Sequence, residues 1–318
     1  MAEVKKTATR DAYGQGLVDL GAANDKLIVL DADLAAATKT GAFKKAYPAR
    51  FFDVGIAESN LMGVAAGLST MGYTVFASSF AMFAAGRAFE QIRNTIGYPH
   101  IGVNIGATHA GISVGEDGAS HQCCEDIALM RSIPGMTIIN PADYWEAHSA
   151  VFAAAALDGP VYLRFGRLAV PHLFDENYKI EVGKGVRLRE GSDVTIAATG
   201  LMVNEALIAA EELASEGIKA RVLNIHTIKP LDVELLVNAA RETGAIVTAE
   251  EHSVIGGLGG AACEALSGIY PVPVLRVGVN DTFGGSGPAV ELLHIYGLDA
   301  ANIAAKAKAA IGLAIEMK

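Results

Sequence analysis

The sequence lacks the features that mark several common classes of protein. It has three cysteines, one tryptophan and no cluster of lysine or arginine, and no stretch approaches the roughly 20 apolar residues that a membrane-spanning helix needs. Cys123, Cys124 and Cys263 match neither a disulfide framework nor a zinc spacing. The net charge of −10 disfavours nucleic-acid binding, because phosphate contacts need clustered basic residues. We therefore expect neither a membrane nor a nucleic acid as partner.

The N-terminal sequence MAEVKKTATRDAYGQ contains no apolar signal core. Together with the few cysteines, this predicts a protein of the reducing cytoplasm. The hydrophobic fraction of 51% and the mean hydropathy of +0.32 are high for such a protein. Alanine-rich helices facing a sheet explain part of this excess, and a large oligomer interface is the expected explanation for the rest.

In the first half of the chain, short apolar runs alternate with alanine-rich helical stretches. This alternation is typical of a parallel sheet covered by helices on both faces. The predicted strands are 26–33, 51–55, 73–79, 100–107, 136–140 and 160–165, and the predicted helices are 59–70, 83–96, 125–132 and 143–157.

The alternation breaks over 168–192, where proline, charges and glycines allow an edge strand or hairpin but no long helix. It resumes with predicted strands 193–200, 219–227, 245–252 and 272–279, predicted helices 203–216 and 233–242, a helix from about residue 259, and a helical tail. The prediction is an α/β protein of two doubly wound, three-layer α/β/α domains, 1–172 and 193–318, joined by a linker over 173–192.

Glu58 opens a helix directly after the strand-like run FFDVG. A carboxylate there can be a helix N-terminal charge and nothing more. If it is partly buried beneath aromatic rings, it holds its proton more tightly and can share that proton with a ligand nitrogen. Phe80 and Phe83 follow another strand and lie three residues apart, a spacing typical of core packing. Their position at the strand end also suits a platform for a flat ligand.

A glycine-rich loop, THAGISVGEDGASH (108–121), carries two histidines and two carboxylates. His109, Asp117 and His121 suit a polyhydroxylated substrate, because imidazole and carboxylate groups exchange hydrogen bonds with sugar hydroxyls. An acidic turn, a calcium loop or a metal site are the alternatives. However, neither EF-hand spacing nor a usual metal-ligand spacing is present.

Arg10, Arg164 and Arg167 are candidates for holding an anion, and a salt bridge at a domain boundary is the alternative for each. The glycines of 256–262 come too late after their strand for a dinucleotide site, and no P-loop lysine is present. The sequence therefore predicts no nucleotide site of these kinds.

Taken together, these segments resemble the transketolase family, specifically the C-terminal half that forms a separate subunit in split transketolases. The motifs that carry the resemblance are Thr9-Arg10, DADLA (31–35), GIAESN (55–60), SSFAMF (78–83), THAGISVGEDGASHQ (108–122), GPVYLRFGR (159–167) and DTFGGSGP (281–288). The resemblance covers nearly the whole chain, and the histidine loop is its most specific part.

The resemblance implies a thiamine diphosphate-binding pyrimidine domain followed by a transketolase C-terminal domain. It implies catalytic roles for Glu58, His109 and His121, with Glu58 hydrogen-bonding the aminopyrimidine ring of the cofactor. Phe83 would stack on that ring, Phe80 would line its pocket and Asp33 would lie near it. The implied substrate-binding residues are Arg10, His109, Asp117, His121 and Arg167. Ala110 and Ala37 depart from the family pattern, which concerns substrate preference more than reaction type.

The reaction so implied moves a two-carbon ketol unit from a ketose phosphate to an aldose phosphate. The family's diphosphate and Mg²⁺ motif, G-D-G followed by an asparagine, is missing from this sequence. An N-terminal subunit would supply it, in an α2β2 assembly. The alternatives are the β subunit of a 2-oxoacid dehydrogenase, a deoxyxylulose-phosphate synthase and a noncatalytic assembly subunit.

Overall fold

The computed structural model describes residues 5–317, so the first four residues of the predicted first domain and residue 318 lie outside it. In chain order, the first elements are β1 (Lys6–Ala8), α1 (Thr9–Ala23), β2 (Leu27–Asp31), α2 (Ala35–Thr38), α3 (Gly41–Ala46), β3 (Phe51–Asp53), α4 (Glu58–Thr70), β4 (Thr74–Phe80), α5 (Phe89–Gln91), β5 (Val103–Thr108), α6 (Asp126–Arg131), β6 (Thr137–Ile139), α7 (Tyr144–Ala156), β7 (Val161–Arg164) and β8 (Ala169–Pro171).

The later elements are β9 (Val186–Arg189), β10 (Val194–Ala198), α8 (Met202–Ser215), β11 (Ala220–Asn224), β12 (Thr227–Lys229), α9 (Val233–Thr243), β13 (Ile246–Ser253), α10 (Leu258–Ser267), β14 (Val274–Val279), α11 (Ala289–Ile295) and α12 (Ala300–Glu316). Two π-helical segments, Met82–Arg87 and Ile92–Gly97, flank α5, and 3₁₀ helices cover Pro48–Arg50 and Ile112–Asp117.

The first sheet has seven strands in the order β12-β6-β7-β5-β4-β2-β3. The six strands from the first half of the chain are mutually parallel, which confirms the predicted α/β fold class. The seventh, β12, comes from the second half and pairs antiparallel with β6. The run predicted as one strand over 219–227 is therefore two elements, because the chain leaves one sheet after Asn224 and joins the other at Thr227.

Helices cover both faces of this sheet. On one face, α4, the π-helical segments and α6 pack on the sheet, with buried residues such as Leu61, Ile92 and Met130. On the other face, α1, α3 and α7 pack through residues that include Leu17 and Val151. Burying apolar side chains on both faces is what requires the continuous apolar strands seen in the sequence.

Helix α1 was not among the predicted helices. Its sequence contains Gly14, Gly16 and Gly21, and glycine lowers helix propensity. In the structure these glycines allow close packing: a Cβ would strike the backbone of Lys39 at the first, and aromatic side chains at the third. Tertiary packing thus decides a helix that local propensity does not indicate.

The second sheet has five strands in the order β14-β13-β10-β11-β9. Helices α8 and α12 cover one face and α9 and α10 cover the other. Strand β9 pairs antiparallel with β11. It lies inside the stretch predicted as a linker, where an edge strand or hairpin had been allowed. Because β9 lies inside the predicted linker and β12 pairs with the first sheet, we keep the division into 1–172, 173–192 and 193–318 as a proposal.

The carboxyl ends of the parallel strands in the first sheet lie at one edge. Strands β2, β4 and β5 end there at Asp31, Phe80 and Thr108. In open α/β sheets, ligands bind at this edge. The residues singled out in the sequence analysis follow these strand ends closely.

Candidate active site

Glu58 is the first residue of α4, and its side chain is almost completely buried. Its Oε1 accepts a hydrogen bond from Nη1 of Arg87 at 2.9 Å. Arg87 is 55% exposed, and its guanidinium lies 4.8 Å from the ring centroid of Phe83. No hydrogen bond to Oε2 of Glu58 exists among residues 5–317. The carboxylate therefore sits at the helix N-terminus, with one oxygen paired and the other available.

Arg87 was missed by the sequence analysis. It is the last residue of the first π-helical segment, and its guanidinium reaches Glu58 although the side chain is 55% exposed. A helical pattern read at 3.6 residues per turn does not indicate that position. The signal in the sequence was an arginine four residues after Phe83.

Four of the predicted rings form one cluster. Phe80 stacks on His109 with their centroids 3.7 Å apart and their planes at 24°. Phe83 lies 5.8 Å from Phe80, and His121 meets Phe83 edge-on at 5.4 Å. Phe80 is buried, whereas Phe83 is only partly buried. Phe83 is thus the more accessible of the two phenylalanine rings.

His109 is held by hydrogen bonds at both ring nitrogens. Its Nε2 lies 2.9 Å from Nη1 of Arg10, and its Nδ1 lies 2.9 Å from Oγ1 of Thr108. Arginine can only donate, so we assign the proton to Nδ1. Burial, together with the charges of Arg10 and Arg167, lowers the pKa of His109 to about 3. The ring is therefore neutral near pH 7, and its remaining lone pair is occupied by Arg10.

The loop that carries the histidines owes its shape to three glycines. Gly111, Gly115 and Gly118 have φ angles of 82°, 86° and 74°, which other residues adopt only with strain. Asp117 is exposed on this loop, and the Nδ1 of His121 lies 3.0 Å from Oγ of Ser120. Asp117 is therefore open to solvent, and one ring nitrogen of His121 is bound to its neighbour in the loop.

The three predicted arginines differ in the hydrogen bonds and ion pairs that they already make within the chain. Arg10 donates to the carbonyl of Ala37 at 3.1 Å as well as to His109. Arg167 donates to the carbonyl of Val114 and to Glu116 at 3.2 Å, with Asp117 at 3.9 Å. Arg164 is buried and bound to Asp126 at 2.8 Å, so for this arginine the salt-bridge alternative fits. Arg10 and Arg167 remain near the cluster, since both charges act on His109.

Asp33 lies apart from these contacts. It is exposed, has a positive φ of 63°, and its backbone N–H donates to Asp53 at 3.0 Å. The buried carboxylate at this strand end is Asp31, which accepts hydrogen bonds from Leu34, Thr38 and Thr40. Burial raises the pKa of Asp31 to about 6. The DAD sequence thus holds one structural and one exposed aspartate, which the sequence alone did not separate.

Within the described part of the chain, no group of three or more His, Cys, Asp or Glu side chains could hold a metal ion. Glu116 and Asp117 lie at the end of the 3₁₀ helix Ile112–Asp117. No helix among residues 5–317 has the length and apolar character needed to cross a membrane.

Comparison with known families decides the assignment. The family model "Transketolase, pyrimidine binding domain" matches residues 5–172, and "Transketolase, C-terminal domain" matches residues 183–303. This chain belongs to the transketolase family. The resemblance read from the motifs is confirmed, and the 2-oxoacid dehydrogenase alternative is not favoured.

Three similar proteins are separate transketolase sections or subunits. A protein of Methanocaldococcus jannaschii, provisionally described as a transketolase C-terminal section, is 50% identical over 93% of each chain. A 6-deoxy-6-sulfo-D-fructose transketolase subunit from a Clostridium species is 46% identical over 92% of this chain and 91% of its own length. The solved structure "Split gene transketolase, inactive beta4 tetramer" is 57% identical, with a TM-score of 0.91, over 96% of this chain and 99% of that one.

Proposed function

We propose that this chain is the C-terminal subunit of a two-subunit transketolase that uses thiamine diphosphate. The observation that carries the proposal is the buried carboxylate of Glu58, which begins α4 and is bound by Arg87, whose guanidinium lies over the partly buried ring of Phe83. A substrate loop with His109 and His121 meets the same aromatic cluster. The family membership and the separate-subunit relatives support the same conclusion.

The described residues fit one end of the cofactor and not the other. An anionic oxygen beside an aromatic face suits a protonated, flat aminopyrimidine. The G-D-G and asparagine motif expected to hold the diphosphate and Mg²⁺ is missing from the sequence, and residues 5–317 contain no group of three or more His, Cys, Asp or Glu side chains that could bind a metal ion. We therefore assign the diphosphate and Mg²⁺ site to an N-terminal partner subunit, in an α2β2 assembly. Thiamine diphosphate, when bound, supplies the nucleophilic carbon that carries the two-carbon unit.

In this proposal, Glu58 holds a proton at the pyrimidine ring nitrogen through Oε2, while Arg87 keeps Oε1 in place. Phe83 offers the face against which the ring stacks. Phe80 lines the pocket behind it and fixes the plane of His109. Asp33 takes no part in these contacts, and its role near the cofactor remains a prediction of the resemblance alone.

The substrate side is proposed to be a sugar phosphate. His121 and Asp117 offer hydrogen-bond partners for hydroxyl groups, and neutral His109 stays fixed by Arg10 at the wall of the site. Arg10 and Arg167 supply positive charge for an anionic tail. The sulfosugar relative acts on a different anion, so the identity of the tail is tested with both phosphate and sulfonate sugars.

The proposal is tested by mixing the purified chain with the N-terminal transketolase subunit of the same organism, Mg²⁺ and thiamine diphosphate. We expect two-carbon transfer between ketose and aldose phosphates by the mixture and none by either subunit alone. Carbon dioxide release from a 2-oxoacid without ketol transfer would contradict the proposal. So would ketol transfer by this chain without its partner.

His121→Ala is expected to raise the KM for the ketose donor by about 10-fold or more, because a hydrogen bond to the substrate is worth roughly 1–2 kcal/mol. The affinity for thiamine diphosphate should stay unchanged. Steady-state kinetics and cofactor titration of the reconstituted enzyme check both. His148→Ala is the control, since His148 bonds Asp19 on the far face of the sheet. If His121→Ala lowered the affinity for thiamine diphosphate as much as it raised the KM, the loop would not be a substrate loop.

A further inference from the structure

The candidate substrate loop (108–121) packs on one side against the second sheet and its helices. Ile112, within the loop, is completely buried in the core formed by α8, α12 and their strands. The 3₁₀ helix that contains it lies against α11, and the backbone N–H of Ser253 donates to the carbonyl of Cys124 at 2.8 Å. One side of the loop thus packs against the C-terminal half of the chain.

Glu251 makes the most direct of these contacts. It lies on β13, is 4% exposed, and its Oε1 accepts a hydrogen bond from the backbone N–H of Ser113 at 2.6 Å. Its own carbonyl accepts a hydrogen bond from Arg164 at 2.9 Å. A Cβ on Gly111 would collide with the Glu251 carboxylate, so the loop lies directly on this side chain.

Gln122, directly after the loop, makes a second contact with the C-terminal half of the chain. Nε2 of Gln122 donates to the carbonyl of Ile112 at 3.0 Å and to the carbonyl of Gly285 at 2.9 Å. It therefore links both ends of the loop to the DTFGGSGP segment (281–288). Gly118 in turn has no room for a Cβ because of Ser286.

We infer that Glu251 is a positioning residue that fixes the substrate loop by accepting the Ser113 N–H, and that loop support is a role of the C-terminal domain. The expected effect on KM rests on the proposed function. The contact between Glu251 and the loop does not. A loop with three glycines loses much conformational entropy on ordering, so it opens readily unless its backbone donors are bound. Glu251 touches no reacting atom in this account, and it acts through the shape of residues 108–122.

The test compares Glu251→Ala, Glu251→Gln and Glu250→Gln. Glutamine keeps a carbonyl oxygen that can accept the Ser113 N–H, so Glu251→Gln should behave almost as the wild type. Glu250 is the adjacent buried carboxylate on the same strand, but it accepts from Leu258 and Gly259 at the start of α10 and not from the loop. It is therefore the matched control.

Hydrogen–deuterium exchange of the full chain is the first readout. In Glu251→Ala, amides of 108–122 should exchange at least ~10-fold faster than in the wild type, because a buried carboxylate that accepts a backbone N–H would be gone. In Glu250→Gln, this segment should be unchanged. Unchanged loop exchange in Glu251→Ala, or equally fast exchange in both variants, would overturn the inference. If Glu251→Ala does not fold, Gln122→Met removes the second contact and should accelerate exchange in the same segment.

Kinetics of the reconstituted enzyme give the second readout. Glu251→Ala should raise the KM for the ketose about 10-fold and leave the affinity for thiamine diphosphate unchanged, since the loop contacts substrate in the proposal. Lower cofactor affinity with an unchanged KM would overturn the inference. If the wild-type mixture shows no ketol transfer at all, the proposed function fails, and the exchange experiment still decides whether Glu251 holds the loop.

Discussion

Glu58→Gln is expected to lower the kcat of the reconstituted enzyme by about 10²–10⁴-fold, the usual contribution of a positioned acid–base group. Glutamine has nearly the same shape but cannot hold a proton at a ring nitrogen as a carboxylate does. Folding should be preserved, because Arg87 is more than half exposed and loses little when its partner becomes neutral. The kcat and the exchange of the thiazolium proton, followed by NMR, measure the effect.

Arg87→Gln is the matched control for this experiment. It breaks the same ion pair without changing the carboxylate. If the loss in Glu58→Gln comes from the proton at Oε2, Arg87→Gln should cost far less. Equal losses in the two variants would mean that only the ion pair matters. Wild-type proton exchange in Glu58→Gln would contradict the role assigned to Glu58.

The double variant Gly63→Leu, Gly67→Leu is expected to prevent assembly with the N-terminal subunit. Both glycines lie on the exposed face of α4, the helix that Glu58 begins, and a Cβ at either position would meet no atom within 4 Å. Val64 on the same helix is 36% exposed, and Phe52 and Ile56, which precede the helix in the chain, are 47% and 76% exposed. In the proposed function Glu58 faces a cofactor whose charged tail the partner holds, so we expect the partner to cover the exposed face of α4.

Two leucines on a closely packed interface should weaken association by about 100-fold or more, since overpacking costs about 1–3 kcal/mol per site. The isolated chain should not lose stability, because leucine favours helix over glycine by roughly 0.8–1 kcal/mol. Analytical ultracentrifugation and thermal unfolding measure the two effects separately. Gly312→Leu on α12 is the control, as its Cβ also meets nothing within 4 Å. Normal assembly of the double variant would exclude α4 from the interface.

The fold was predictable from the sequence because its strands are buried on both faces. Continuous apolar runs such as 26–33 and 73–79 correspond to β2 and β4 within a few residues. The edge strands β9 and β12 were not predictable in the same way. Neither β9 nor β12 has an apolar run of its own, and both are short edge strands. Strand β9 pairs with β11 of the second sheet, and β12 pairs with β6 of the first sheet.

The sequence predicted the residues of the candidate site that follow strand ends or lie in the glycine-rich loop. Glu58, Phe80, Phe83, His109 and His121 do lie within or beside one cluster. What the sequence did not reveal were long-range contacts. Arg87 reaches Glu58 through a π-helical segment, and Glu251 reaches Ser113 across 138 positions of sequence. No periodic pattern encodes such pairs, because they depend on how elements distant in sequence are packed.

The central claim is that this chain supplies the activating carboxylate and the substrate loop, while a second polypeptide holds the charged end of the cofactor. The most direct measurement is the structure of the reconstituted assembly with thiamine diphosphate and Mg²⁺. The account predicts a pyrimidine ring nitrogen at hydrogen-bond distance, about 2.7–3.2 Å, from the carboxylate of Glu58, with every protein ligand of the Mg²⁺ on the partner. A ring bound away from Glu58, or a metal ligand supplied by this chain, would contradict it.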